Sequence, residues 1–337
     1  MESRIRERFT PAILADAAAR FGADAESLQE LDGAESFIFE FTRQGEPLIL
    51  RIGHSLRRNV NLIHGEVDWI NYLARGGAAV AAAVHSANDN LVELIDDGVG
   101  DHYLATAFVK APGAPPRWAE LTPTFIEHYG QVIGRMHRLT KEYTPTQPAW
   151  RRPQWDDPTM TDAPNFLPES ERYTQQQMRR LLDRLRQLPR DPAAYGLVHQ
   201  DAHLGNCFVN GAGELTFFDF DDCCYTWFVN DLAIVLFYIV NGRDDPAAYA
   251  ADFLPPFLHG YRRENHFDPQ WFVHIPDFLK LRELDLYAFI HRSFDVTNLT
   301  HPWVARYMAG RKARIEADVP YLAFDFTTLR WPTASRR

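Results

Sequence analysis

Cysteine is scarce in this 337-residue chain: only Cys207, Cys223 and Cys224, an odd number with two adjacent. That is a poor disulfide framework, so the reading is a protein of a reducing cytoplasm. Long apolar runs are missing too. The longest, "LAIVLFYIV" at 232–240, falls far short of the ~18–20 residues that a membrane-spanning helix needs. The first residues, "MESRIRERFT", are charged and carry no apolar segment of a secretory signal. Positive charge is in deficit: 35 Lys+Arg against 45 Asp+Glu leave a net charge of −10. This argues against a general nucleic-acid binder and suits a soluble acidic surface. Lysine is absent before Lys110, and no internal repeat or low-complexity tail occurs.

What is present is a globular composition, 46% hydrophobic and 24% charged, enough for a sizeable core and about two domains. The runs "SFIFEF" (36–41) and "LILRI" (48–52) flank a Gly/Pro loop and read as a hairpin. Ile63, Val67 and Ile70 recur at helical spacing before Gly76–Gly77. Strand candidates follow at 90–96 and 103–109, then a Pro/Gly-rich linker, "KAPGAPPRW", at 110–118. Beyond it helices are expected over 125–140 and 169–188, separated by a Pro/Trp-rich loop. Further helices are expected near 231–241, 246–264, 274–295 and 301–316. The expected fold class is α+β in two lobes: a small antiparallel sheet with a helix over 1–109, the linker 110–118, and a mainly helical part over 119–337.

One stretch breaks the helical second half: "LVHQDAHLGNCFVNGAGELTFFDFDD", 197–222. Two short strands flank "NGAG", a hairpin turn. Asp201 and Asn206 lie five apart, and Asp219 lies 18 beyond Asp201. Phosphoryl transfer needs these groups: a carboxylate to take the proton of an attacking hydroxyl, and oxygen ligands for the Mg²⁺ that neutralises a polyphosphate. A rival reading uses His199, Asp201 and His203 as alternate residues on one face of a strand, a Zn²⁺ site. That rival leaves Asn206 and the later Asp219 without a role.

"HQDAHLGNCFV" followed by "LTFFDFDDCCYTWFVNDLA" resembles the aminoglycoside phosphotransferase and choline kinase-like family. Its fold is protein-kinase-like, and its loop reads H-G-D-x-H-x-x-N. The resemblance covers roughly 25–310 and is closest to the branch with stress-response Ser/Thr kinases and homoserine-kinase-like enzymes. It implies an ATP- and Mg²⁺-dependent phosphotransferase acting on a hydroxyl of a small molecule. It also implies Asp201 as catalytic base, Asn206 and Asp219 as Mg²⁺ ligands, and His199 and Asp231 as supports of the loop. Gln200 stands where the family has Gly. An ordinary helix N-cap is the plainer reading of Asp231.

With no early lysine, Arg51 in "LILRIG" is the candidate cation for the phosphates and Glu66 its helix partner. A pair that merely ties strand to helix is the alternative. The phosphate loop is reduced to Gly33 and Ser36. Backbone at Ala107 and Val109 would meet adenine, with Thr106 behind it. Asp221, Asp222 and Asp285 are candidate acceptor-site acids, although Arg282, His291 and Arg292 are near in sequence to Asp285. A protein Ser/Thr kinase is less well supported, because twelve residues after Asp219 the chain reaches Asp231, with no A-P-E segment. A non-catalytic nucleotide binder would not need Asp201, Asn206 and Asp219 together.

Overall fold

The computed structural model describes residues 3–332 apart from 25, 34 and 162. Two helices, α1 (Ser3–Arg8) and α2 (Pro11–Arg20), open the chain, followed by β1 (Gln29–Leu31), β2 (Phe37–Arg43) and β3 (Glu46–His54). Helix α3 (Val60–Arg75) precedes β4 (Ala83–Val84), β5 (Glu93–Asp96) and β6 (His102–Val109). Helices α4 (Pro123–Thr140), α5 (Pro158–Thr161), α6 (Ala163–Phe166) and α7 (Arg172–Leu185) come next. Strands β7 (Tyr195–Val198), β8 (Cys207–Val209), β9 (Leu215–Phe217) and β10 (Cys224–Trp227) carry the His/Asp-rich stretch. Helices α8 (Phe228–Val240), α9 (Pro246–Arg262), α10 (Ile275–Ser293), α11 (Pro302–Met308) and α12 (Arg311–Glu316) follow.

The chain divides into two compact units. The first runs up to Pro115 and adds Glu142–Arg152 and Cys207–Asp221. Its antiparallel sheet has the order β1-β2-β3-β6-β4, with β5 also on β6. Along β3, Leu48, Leu50, Ile52 and His54 are buried and alternate with partly exposed residues, the two-residue period of a pleated strand. Leu48, Leu50 and Ile52 join Ile13, Ala17, Phe39 and Phe41 in one core, so α2 covers that side. Ile63 and Val67 of α3 pack with Ala83, Val92 and Leu104 in another. Asn59 caps α3 by accepting from the Leu62 amide.

The second unit comprises Pro116–Lys141, Pro153–Asn206 and the chain from Asp222 onward. One stripe of α4 is buried: Phe125, Tyr129, Val132, Ile133 and Met136. Helices α4 and α9 touch closely; a Cβ on Gly260 would lie 1.7 Å from the Glu127 carbonyl oxygen, so only glycine fits. Almost every residue of α8 is buried, as expected of a helix apolar on all sides. Strand β10 pairs antiparallel with β7, Cys224 opposite Val198, and so fixes the point at which His199 leaves the strand.

Several expectations shift. The helix expected over 301–316 is two helices, parted at Gly310, whose φ of +67° ends one and starts the other. The strand expected over 90–96 is only Glu93–Asp96, and β1, β4, β7 and β10 were not anticipated. All three cysteines are buried, and none is joined in a disulfide.

Candidate active site

The loop after β7 is held from below by one carboxylate. Asp231 lies within the first turn of α8, whose N-cap is Trp227, so it is not an N-cap. Its Oδ2 accepts from the His199 amide at 3.1 Å and its Oδ1 from the Gln200 amide at 2.9 Å. Asp231 Oδ2 also faces His137 Nε2 at 3.0 Å, and His137 Nδ1 meets the Tyr261 hydroxyl at 2.8 Å. Asn265 donates to that hydroxyl, and Lys141 donates to Asn265. His137, Asp231 and Tyr261 are completely buried, so each polar group needs such a partner. Gln200 has φ +70°, the left-handed conformation that its glycine counterpart would take without cost. Asn230 donates to its side-chain oxygen. Tyr129 donates to the Ala202 carbonyl, and His199 Nδ1 accepts from the Asp201 amide at 3.3 Å.

On this loop Asp201 meets three groups. Arg282 of α10 donates to its Oδ1. Asn206 Nδ2 donates to its Oδ2 and to its backbone carbonyl, both at 3.0 Å. His203 Nε2 stands 3.4 Å from Oδ2. Burial pushes the Asp201 carboxyl up, but Arg282, His203 and His199 outweigh it and hold the group well below the usual carboxylate range. Arg282 also donates to the Tyr238 hydroxyl at 2.5 Å. One helical turn on, burial pushes Asp285 up to about 7, against Arg282 and aided by Asp222. Among the described residues Asp285 Oδ1 is buried without a hydrogen-bond partner.

The first unit holds its own charged set. Arg51 donates through both terminal nitrogens to Glu66, each at 2.7 Å, and its guanidinium lies 5.0 Å from the Phe108 ring centre. Burial opposes the Arg51 charge, but Glu66, Asp221 and Asp219 raise its pKa above the ordinary value. Ser36, Arg51, Arg57, Arg58 and Asp221 line one small cavity of about 10 Å³. Gly33 approaches the Ser36 carbonyl so closely that a Cβ would lie 2.2 Å from it. Asp219 is exposed with φ +63°.

Asp221 is not an open acid: Arg57 donates to it at 2.5 Å, Arg58 lies 3.5 Å away, and Arg152 donates to its carbonyl. Burial works against its charge, yet Arg57, Arg58 and Arg51 hold its carboxyl far below the usual range. Asp221 belongs to the first unit, and Asp222 and Asp285 to the second. The hinge expectation also meets an obstacle. The Val109 amide donates to the Ala82 carbonyl at 2.9 Å, and Ala107 lies between Leu50 of β3 and Val84 of β4. Adenine pairing at Val109 would have to break that bond. The Zn²⁺ reading loses its basis, because 199–203 is loop rather than strand. Among the described residues no group of three His, Cys, Asp or Glu could hold a metal. The second unit's Asn206 can instead offer a single oxygen to a cation: its Nδ2 faces Asp201, which turns the amide oxygen away from that pair.

The sequence over residues 27–272 matches the model of the phosphotransferase enzyme family, APH. The chain belongs to that family. Among its relatives is an amicoumacin kinase of Bacillus subtilis (strain 168), 39% identical over 321 residues, which are 94% of this chain and 95% of that one. A solved amicoumacin kinase, in complex with AMP-PNP, Ca²⁺ and Ami, superposes with a TM-score of 0.91 at 34% identity, covering 98% and 100% of the two chains. A microcompartment-associated aminopropanol kinase shares the fold, with a TM-score of 0.72 at 22% identity over 91% and 97%. This member of the phosphotransferase family is an enzyme that uses ATP and a divalent metal to phosphorylate a hydroxyl of a small molecule. Among the described residues no helix is long and apolar enough to cross a membrane.

Arg282, Tyr238, Tyr129 and His137 were not legible as site residues. They come from α10, α8 and α4, at separations that carry no sequence pattern. For Arg282 the proximity in sequence to Asp285 was the one available signal.

Proposed function

We propose that Asp201 is the catalytic base of this phosphotransferase and that Asn206 and Asp219 hold Mg²⁺. His199 and Asp231 brace the catalytic loop. The observation that carries this reading is the Asp201 carboxylate, paired with Asn206 at 3.0 Å on a loop whose amides are tied to buried Asp231. A base must be fixed within hydrogen-bond reach of the hydroxyl it serves, and a tethered loop supplies that. The metal supplies charge neutralisation on the polyphosphate when bound. Asp201 orients the acceptor hydroxyl and takes its proton. Arg51, held by Glu66, is the cation for the nucleotide phosphates, with Ser36 beside it. Segment 1–109, joined by 142–152 and 207–221, is the nucleotide lobe, 110–118 the hinge, and the rest of 119–337 the lobe that takes the acceptor. Purine contact along Ala107–Val109 requires the strand end at Val109 to open from Ala82.

The enzyme works in the cytoplasm, on a small-molecule acceptor and without nucleic acid; a net charge of −10 fits that setting. Amicoumacin, named for the Bacillus relative, is the first acceptor to try, followed by amino alcohols and hydroxy acids. The test is incubation of the purified protein with MgATP and each compound, with mass spectrometry of the products. A phosphate monoester on one of them, absent with Asp201→Ala, is the expected result. Phosphorylation that survives Asp201→Ala would sink the assignment of the base.

A further inference from the structure

Within the second unit, a cleft of about 510 Å³ opens beside the catalytic loop, with His203, Leu204 and Gly205 in its wall. That size is ordinary for a small-molecule site. His203 connects the cleft to Asp201, 3.4 Å away, and its ring lies 4.3 Å from that of Tyr238. Tyr238 also lines the cleft and accepts from Arg282, the partner of Asp201. A ligand in this cleft therefore lies against the same cluster that surrounds the base.

The lining has two characters. Trp118 and Trp303, 54% and 38% exposed, present large rings to the opening, and Trp303 stacks on Tyr307. Three arginines line the cleft, and no carboxylate does among the described residues. One of the three, Arg311, is committed to Glu283 at 2.6 Å. Arg243 lies over the rings of Trp118 and Tyr249, 4.0 and 4.1 Å from their centres; its Nε donates to the Ile239 carbonyl at 3.3 Å, and its Nη2, screened from solvent, has no hydrogen-bond partner among the described residues. Arg306 is exposed and has no hydrogen bond or ion pair among the described residues. A guanidinium stacked on two rings, its Nη2 unpartnered though screened from solvent, and an exposed Arg306 together give this wall a positive charge that suits an anionic oxygen.

We propose that the acceptor of this enzyme is a hydroxyl compound that also carries a planar aromatic ring and a carboxylate or similarly acidic group. The ring lies against Trp118 and Trp303, and the acid meets Arg243 and Arg306. This rests on the phosphotransferase reading of Asp201, since it orients the acceptor hydroxyl toward that residue. A small cationic amino alcohol would leave the rings unused and would face uncompensated positive charge.

Three probes of matched shape separate the charges: 3-phenyllactate, 3-phenyl-1,2-propanediol and phenylalaninol, which are anionic, neutral and cationic. Binding to the intact protein is read by tryptophan fluorescence, with and without MgATP. The expected order is phenyllactate first by about tenfold over the diol, and phenylalaninol last. Arg243→Met should remove most of the gap between phenyllactate and the diol. Arg243→Lys, which keeps the charge but not the fork, should keep part of it, and Arg306→Gln serves if Arg243→Met fails to fold. Phenylalaninol binding as tightly as phenyllactate, no binding by any probe at millimolar concentration, or an unchanged gap in the arginine variants would overturn the proposal. The melting shift given by MgATP alone is read in the same samples. Its absence counts against the nucleotide roles proposed above and leaves the charge order to be judged separately.

Discussion

Each unit contains an arginine–carboxylate pair, and the two are built for different ends. In the sheet unit, Arg51 grips Glu66 through two equal bonds, and the Glu66 side chain is 0% exposed. In the helical unit, Arg282 meets only one oxygen of Asp201, and both side chains keep some contact with solvent, 17% and 21%. The other Asp201 oxygen is shared with Asn206 and His203. A two-pronged, dry pair locks a cation in one place, because parting it strands a buried charge. A one-pronged, partly wet pair can exchange partners, and a carboxylate that must receive a hydroxyl has to do so. The pair that looks stronger holds a cation in place, and the looser one sits at the proposed chemistry.

The sharpest way to break this contrast is Asp201→Ala. Turnover should fall by about 10²–10⁴, while MgATP still raises the melting temperature. Retained turnover would mean that the looser pair is not where the proton goes. Arg51→Met comes next. It should cost about 3–5 kcal/mol of stability, because Glu66 is left buried and alone, and it should also raise the KM for ATP and lower kcat/KM. Arg51→Lys should keep much of the activity. If well-folded Arg51→Met protein shows ordinary ATP kinetics, the pair is a tie between strand and helix and nothing more.

Asp285 gives a smaller effect with a defined sign. Burial pushes it up to about 7, so the folded chain keeps a proton that the unfolded chain has already lost above about pH 4. Stability therefore falls as pH rises between these values, and the loss is complete above the folded value. Asp285→Asn mimics the protonated form. It should be more stable than the parent at pH 8 by on the order of 1–3 kcal/mol, a gap that closes toward pH 5. Equal melting curves across that range would show that Asp285 ionises normally. The smallest change is expected at Gln200. Relief of left-handed strain in Gln200→Gly is offset by the lost Asn230 bond and a freer unfolded chain, so stability should move by less than about 1 kcal/mol. Gln200→Val should lose about 1–2 kcal/mol. A large loss in the glycine variant would mean that the Asn230 contact, not the backbone, holds that turn.

Much of this arrangement could be read directly because it is local. The Asp201-to-Asn206 step, the hairpin after it and the Arg51–Glu66 pairing of strand with helix all rest on short spacings or on the alternation of β3. Gln200 was legible as a departure, and the structure explains it: the residue adopts the glycine conformation because Asp231 fixes its amide. The rest depended on packing. Asp231 was legible as a brace of the loop through the resemblance alone, because its partners lie 31 and 32 residues away. Adjacent Asp221 and Asp222 fall in different units, and Arg57 and Arg58 pair with the first within the sheet unit. Nor could linear order reveal that 142–152 and 207–221 join the sheet unit.

The chain of side chains from Lys141 through Asn265, Tyr261 and His137 to Asp231 has a further consequence. Loop amides usually exchange their protons with solvent on the fast scale of local opening. Those of His199 and Gln200 end instead on a carboxylate sunk in the helical core. To free them, Asp231 must part from a histidine that is itself anchored to α9. In a deuterium-labelling experiment these two amides should keep pace with the slowest protons of α4 and α8. The proposed catalytic loop would then open only when the helical unit as a whole unfolds.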